Sequence, residues 1–221
     1  MLRSLIVLAF ALAPAAFVPG CTATTPELEL KRPLVLTPVD DPRGALQRVV
    51  AAVRADPQAG LDVGEVPLVG DGQGPAVHET FVTGPEKHVL EDYIRTHPEL
   101  APPAGHAFGY ERLRDDGRTY WRMHCVEAGG LALRKLGSAL LSQDAEGRQR
   151  IRVRLLSEDV GRLASLTAAQ VGRRLAVVQD DEVLMAPVMR EPLTGGELEI
   201  TLGAVTTSAE ARVMLDHLLG R

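Results

Sequence analysis

From Arg150 to Leu155 the chain alternates strictly between arginine and an aliphatic residue: Arg150-Ile151-Arg152-Val153-Arg154-Leu155. Successive side chains point to opposite sides only in a strand. This stretch is therefore predicted to be a strand, with Ile151, Val153 and Leu155 facing a core and the arginines in water. The core beneath it must be built from Leu, Val, Ile and Ala, because aromatics make up only 4% of a chain that is 45% hydrophobic.

The neighbouring patterns extend this picture. Leu34-Val35-Leu36 reads as a short strand. Asp41-Pro42 offers an N-cap and a first-turn proline, and Leu46, Val49, Val50 and Val53 recur at helical spacing, which predicts a helix over 42–55. Glycines and prolines crowd Gly60 to Pro75, so a long loop is expected there. Thr83-Gly84-Pro85-Glu86 has capping-box spacing and predicts a helix ending before Pro98. Phe108–Leu113 and Arg118–Val126 flank Asp115-Asp116-Gly117, a hairpin signal. Leu131 to Leu141 reads as helical, as do residues 158–174, with a break where Thr167-Ala168-Ala169-Gln170 repeats the capping-box spacing. Strands are expected at Leu175–Gln179 and Val183–Val188, joined through Asp180-Asp181-Glu182, and again where Leu198, Ile200 and Leu202 alternate. Thr207 caps a last helix whose stripe is Ala211, Met214, Leu215, Leu218 and Leu219, ending at Gly220. Hairpins without regular βαβ alternation define an α+β fold: a mainly antiparallel sheet with helices packed on it.

The N-terminus predicts export. Arg3 precedes an apolar run from Leu5 to Ala13, which Pro14, Pro19 and Gly20 interrupt before the roughly 20 residues that a membrane span needs. Val18-Pro19-Gly20-Cys21 resembles the lipobox of bacterial lipoproteins, which implies cleavage before Cys21 and acylation of that residue. The alternative is an ordinary secretory signal cut near Ala15 or Ala16, leaving Cys21 a thiol. With lipidation, the chain would be held at the membrane by its N-terminal lipid and would face the periplasm. Thr22 in place of aspartate then points to the outer membrane by the sorting habit of such lipoproteins. The organisation expected is a signal peptide at 1–20, a stalk at 21–33, an N-terminal part of the globular region at 34–104 and a second unit at 105–221. A Cys21–Cys125 disulfide is conceivable only if Cys21 is not acylated.

Charge and motif patterns narrow the function. The formal net charge is −5, and loss of residues 1–20 would remove Arg3 and no acid. Arginines interleaved with aliphatic residues form the wet side of a strand and not a phosphate-binding patch, so nucleic acid is not an expected partner. Gly70-Asp71-Gly72-Gln73-Gly74 lacks the Gly-Lys-Ser/Thr of a phosphate loop and the strand before a dinucleotide turn. His78, His88, His97, His106, His124 and His217 are scattered without metal-ligand spacing, so neither a metal nor another cofactor is expected. His124 and Cys125 are strand neighbours and point apart. Gly137-Ser138 lacks the nucleophile elbow of hydrolases. These patterns favour a binding module over an enzyme.

One run of residues carries a family likeness. Gln170-Val171-Gly172-Arg173-Arg174-Leu175-Ala176-Val177-Val178, then Asp180, Val183, Ala186-Pro187-Val188, Glu191-Pro192 and Gly195-Gly196, resembles the head of the first periplasmic domain of SecD and SecDF, accessory subunits of the Sec protein-export machine. The likeness is specific over 150–220, fades over 105–149 and is absent before residue 75. Within it, Val171, Gly172, Leu175, Asp180, Ala186, Pro187, Val188, Glu191, Pro192, Gly195 and Gly196 are read as architecture: Gly172 for close approach of helix and strand, Pro187 for a missing donor, Gly195-Gly196 for a special backbone path. Asp181 stands where the family usually has glycine. The resemblance implies contact with unfolded or extended polypeptides during export or envelope assembly, exposed Tyr120, Trp121 or Met189 beside a sheet edge being one way to bind them. The alternative is a structural or regulatory envelope lipoprotein without client binding.

Overall fold

A computed structural model describes residues 27–40, 44–68, 77–115, 117–202 and 206–221. Cys21, Asp41-Pro42, the glycine-rich run at 70–74 and the hairpin's Asp116 lie outside the described residues. The strands are β1 (Leu28–Pro38), β2 (Asp62–Leu68), β3 (Val77–Gly84), β4 (His106–Asp115), β5 (Arg118–Glu127), β6 (Leu131–Leu136), β7 (Ser138–Gln143), β8 (Gln149–Arg154), β9 (Leu175–Gln179), β10 (Glu182–Met185) and β11 (Glu197–Thr201). The helices are α1 (Ala45–Ala55), α2 (Lys87–Thr96), α3 (Ser157–Ala169) and α4 (Ser208–Leu219).

Eight strands form one sheet in the order β2-β3-β5-β4-β10-β9-β1-β6, and three form a second, β11-β8-β7. Every strand pairing is antiparallel except β10 with β4. The fold class is thus α+β, as the hairpin-rich sequence implies. Strand β8 meets the alternation argument directly: Ile151 and Val153 are buried while Arg152 and Arg154 are exposed. On its wet side Arg150, Arg152 and Arg154 pair with Glu199 and Glu197 of β11.

Two large apolar clusters organise the interior. One gathers Leu34 and Leu36 of β1, Leu133 of β6, the inner side of the second sheet, Leu163 of α3, and Leu215 and Leu218 of α4. The other sets Leu46, Val49 and Val53 of α1 and Leu90 of α2 against Tyr110, Met123 and Cys125 of β4 and β5. Between them lies a smaller group containing Val39, Val126, Ala176, Val183 and Ala186.

Several local expectations are corrected. Leu131 to Leu141 is two strands, β6 and β7, and not a helix. Its leucines fit either period. Ladders to β1 and β8 satisfy the backbone and decide the matter. The run read as a loop from Gly60 contains β2, which tolerates Gly64 and Pro67 because it is an outer strand. A side chain at Gly64 would collide with the Phe81 ring. β1 begins at Leu28, inside the segment read as stalk, with Leu28 opposite Leu136. Thr83 belongs to β3, and the cap of α2 is Glu86, which makes no side-chain capping bond. α3 ends at Ala169, well before residue 174, and the Thr167 hydroxyl donates back to the Leu163 carbonyl at 2.8 Å. β10 stops at Met185, leaving Val188 in an isolated bridge with Arg174.

Candidate functional site

The turn between β9 and β10 sets the geometry of the site. Gln179 pairs with Glu182, so Asp180 and Asp181 alone make the turn, with φ of 51° and 62°. Both lie in the left-handed region, as a type I′ hairpin requires, and aspartate is one of the few residues that enters it at modest cost. Asp181 therefore adopts the conformation for which glycine would serve. The two carboxylates also tie the turn to its surroundings, Asp180 through Arg32 and Asp181 through Lys87 at 3.4 Å. Lys87 lies 5.4 Å from the Tyr110 ring centre. Burial, reinforced by Glu91 and Asp181, pushes the Tyr110 phenol up to about 12.

Past this turn β10 and β4 separate. Their parallel ladder is confined to Glu182 with Tyr110 and Val183 with Glu111, and a bulge interrupts β10 between Val183 and Met185. From Arg112 to Asp115, β4 pairs with β5 on one side, and among the described residues no strand pairs with its other edge. Helix α4 closes the opposite wall. Its start is fixed by a capping box in which the Thr207 hydroxyl accepts from the Glu210 amide and the Glu210 carboxylate accepts from the Thr207 amide. It ends at Gly220 in the left-handed conformation.

The result is a groove made of two adjoining depressions of about 240 and 470 Å3. Arg112, Glu182, Leu184, Leu202, Val213 and Met214 line both. Ile200 and Leu218 deepen the apolar floor of the first. Val213 is 68% exposed, an unusual position for a valine on a helix whose other face is packed. Arg114 and Glu210 form an ion pair at 3.3 Å that joins β4 to α4 along the second depression. Hydrogen bonds from the Thr207 amide and hydroxyl, with help from Arg114, hold the Glu210 carboxyl below its ordinary range. Among the described residues Arg112 has no carboxylate within ion-pair distance, which leaves a cation at the rim.

A second constellation lies inside the fold. Glu79 of β3 is almost sealed from solvent and accepts two hydrogen bonds from the Arg174 Nε, at 2.8 and 3.0 Å. Arg122 of β5 approaches the same carboxylate at 3.2 Å, and its guanidinium sits 4.4 Å from the Phe81 ring centre. Arg174 also donates to the Ala186 carbonyl, so one carboxylate of the N-terminal part is locked to the run that carries the family likeness. Nearby, His124 is fully buried and its Nε2 lies 2.9 Å from a Glu111 carboxylate oxygen. Cys125 is also buried but packs in the cluster under α1. Sequence reasoning missed the Glu79 cluster because residues 95 positions apart leave no local pattern.

The residues singled out in the sequence divide clearly. Leu175 and Ala186 are buried, and Val171 and Val188 are 48% and 40% exposed. Glu191 and Pro192 are exposed. Gly172 has φ 78° and open space where a Cβ would sit, so it supplies a conformation and not a close approach. Its amide donates to the Met189 carbonyl at 2.8 Å, and the Pro187 carbonyl accepts from Leu175 at 3.0 Å. Gly196 needs both properties: φ is 67°, and a Cβ would lie 2.6 Å from Val160. Gly195 shows neither. Met189 is buried, and Trp121 stands on a strand flanked on both sides, opposite Gly84 and Arg112, so neither offers an edge contact. His88 lies in α2 and His97 directly follows that helix, whereas His106 opens β4 and Ser138 opens β7; the His106 ring lies 3.8 Å from Asp40. Among the described residues no three His, Cys, Asp or Glu side chains gather as metal ligands. Nor is any helix there long and apolar enough to cross a membrane.

Residues 111–216 match the model of the SecDF P1 head subdomain, in agreement with the family likeness of the sequence. The match begins well upstream of residues 150–220, over which the likeness is specific. Among curated proteins the chain is 35% identical over 74 residues to the protein translocase subunit SecD of Acidaminococcus fermentans, covering 34% of this chain and 18% of that protein. It is 38% identical over 80 residues to SecD of Acetobacter pasteurianus, covering 35% and 15%. With SecDF of Thermus thermophilus the figures are 33% over 73 residues, 33% and 10%. The matches thus span less than a fifth of the length of these relatives. Among solved structures, a chain of SecDF, described as a membrane component that enhances protein export, aligns at 18% identity over 82% of this chain and 92% of that one, with a TM-score of 0.35.

Proposed function

We propose that this protein is a polypeptide-binding module that assists protein export or envelope assembly, acting by contact and not by catalysis. The observation that carries the reading is the groove between β4, β10, β11 and α4 within a SecDF-type head. An extended segment laid along Arg112–Asp115 would find unpaired backbone groups on one side and an apolar floor on the other, the two requirements of strand addition. The reading includes an N-terminal lipid on Cys21 that holds the module at the periplasmic face of the outer membrane.

The test is binding of a reduced, carboxymethylated model protein to the full chain, followed by fluorescence anisotropy. Val213→Asp places a charge on the groove wall at an exposed site, so folding should be untouched. Affinity should fall about tenfold, the equivalent of about 1.4 kcal/mol. Equal binding by parent and variant, or none by the parent, would refute the groove as a grip.

A further inference from the structure

The outer strands of the two sheets are not alike. β2 carries Asp62, Glu65 and Pro67, β6 carries Arg134 and Lys135, and β11 carries Glu197 and Glu199. Charges and prolines of this kind are how soluble proteins keep sheet edges from joining. β7 has none. Its sequence, Ser138-Ala-Leu-Leu-Ser-Gln143, is neutral throughout, pairs without interruption to β8, and presents Leu140 at 61% exposure. On the inner side of this edge lies a concavity whose apolar lining includes Leu28, Ala139, Leu141 and Leu215.

We propose that β7 is a self-association edge that pairs antiparallel with β7 of a second copy, with Leu140 on the two-fold axis. The strand is its own complement in that register. On the outer side Leu140 meets Leu140 of the other copy, and Ser138 meets Ser142. On the inner side Ala139 lies opposite Leu141, small against large, and the exchange is repeated by symmetry. No charge opposes a like charge within the strand, and the neighbouring arginines of β8 are already matched by Glu197, Glu199 and Asp144. A foreign strand would have to supply this alternation of sizes, whereas a second copy supplies it by construction. The two three-stranded sheets would join into one of six. A contact one strand wide falls short of the roughly 1,200 Å2 buried by standard interfaces, so the dimer is weak and forms where local concentration is high.

The experiment uses the full chain purified in detergent. Sedimentation velocity should show a monomer–dimer equilibrium that Leu140→Lys weakens about tenfold or more. Mild oxidation gives the register: Leu140→Cys should link to itself, Ser138→Cys alone should not, and a mixture of Ser138→Cys with Ser142→Cys should. A parent chain that stays monomeric at its highest soluble concentration overturns the proposal. So does self-linkage of Leu140→Cys that is no faster than that of Ser138→Cys.

Discussion

Glu79 is the position whose loss should be felt most. Its side chain is 2% exposed, and the two guanidiniums against it, Arg122 and Arg174, are 9% and 19% exposed. Glu79→Gln keeps the volume and removes the charge, so two buried cations are left facing each other across a neutral amide. Breaking a buried pair in this way costs about 3–5 kcal/mol, chiefly because the partner charges remain desolvated. The partial exposure of Arg174 argues for the lower end, near 3 kcal/mol. With a urea m-value of about 2 kcal/mol/M, the unfolding midpoint should fall by about 1.5 M. On heating, the shift should be about 6–12 °C for a chain of this size. The cause can be separated from the loss of hydrogen bonds by adding Arg174→Met to Glu79→Gln. Removing one stranded cation should make the pair of changes cost less than their sum by on the order of 2 kcal/mol. Urea unfolding followed by circular dichroism is sufficient. A Glu79→Gln midpoint within experimental error of the parent, or strict additivity with Arg174→Met, would show that the cluster contributes nothing.

Gly196→Ala should destabilise the chain by about 1–3 kcal/mol in the same assay, since it meets a left-handed backbone and the Val160 side chain together; Gly195→Ala, free of both, should be close to neutral. Asp144 gives a pH signature: burial pushes its carboxyl up, but hydrogen bonds from Arg148 and Arg150 win and hold it at about 2, below the ordinary 3.8. A depressed carboxyl stabilises the fold above its unfolded value and loses that contribution as pH falls from about 4 towards 2. Asp144→Asn should therefore lower stability at pH 5 and converge with the parent near pH 2, as read from urea midpoints at both pH values.

What the sequence disclosed follows the range of the forces involved. Alternation in β8, the turn chemistry of Gly117 and the capping box of Thr207 with Glu210 are decided within a few residues, and each is visible as a local pattern. β6 and β7 are not legible locally, because leucines at 131, 133, 136, 140 and 141 satisfy a helix as readily as a strand, and only distant partners choose between them. β2 was hidden by its glycine and proline, which an outer strand accepts. The family run showed itself through its glycines and prolines. The groove beside it did not, because its walls come from β4, β10, β11 and α4, and its shape depends on two strands parting after a two-residue turn.

The position of β1 has a mechanical consequence. The first described strand is not a loose lead-in: it lies inside the larger sheet, with β6 on one flank and β9 on the other. Tension entering the molecule ahead of Leu28 would run along that strand and load both ladders in shear, so that many backbone bonds must yield at once instead of opening one by one like a zipper. A pull applied between that strand and α4 would therefore leave the fold intact up to the force at which a whole ladder gives way at once.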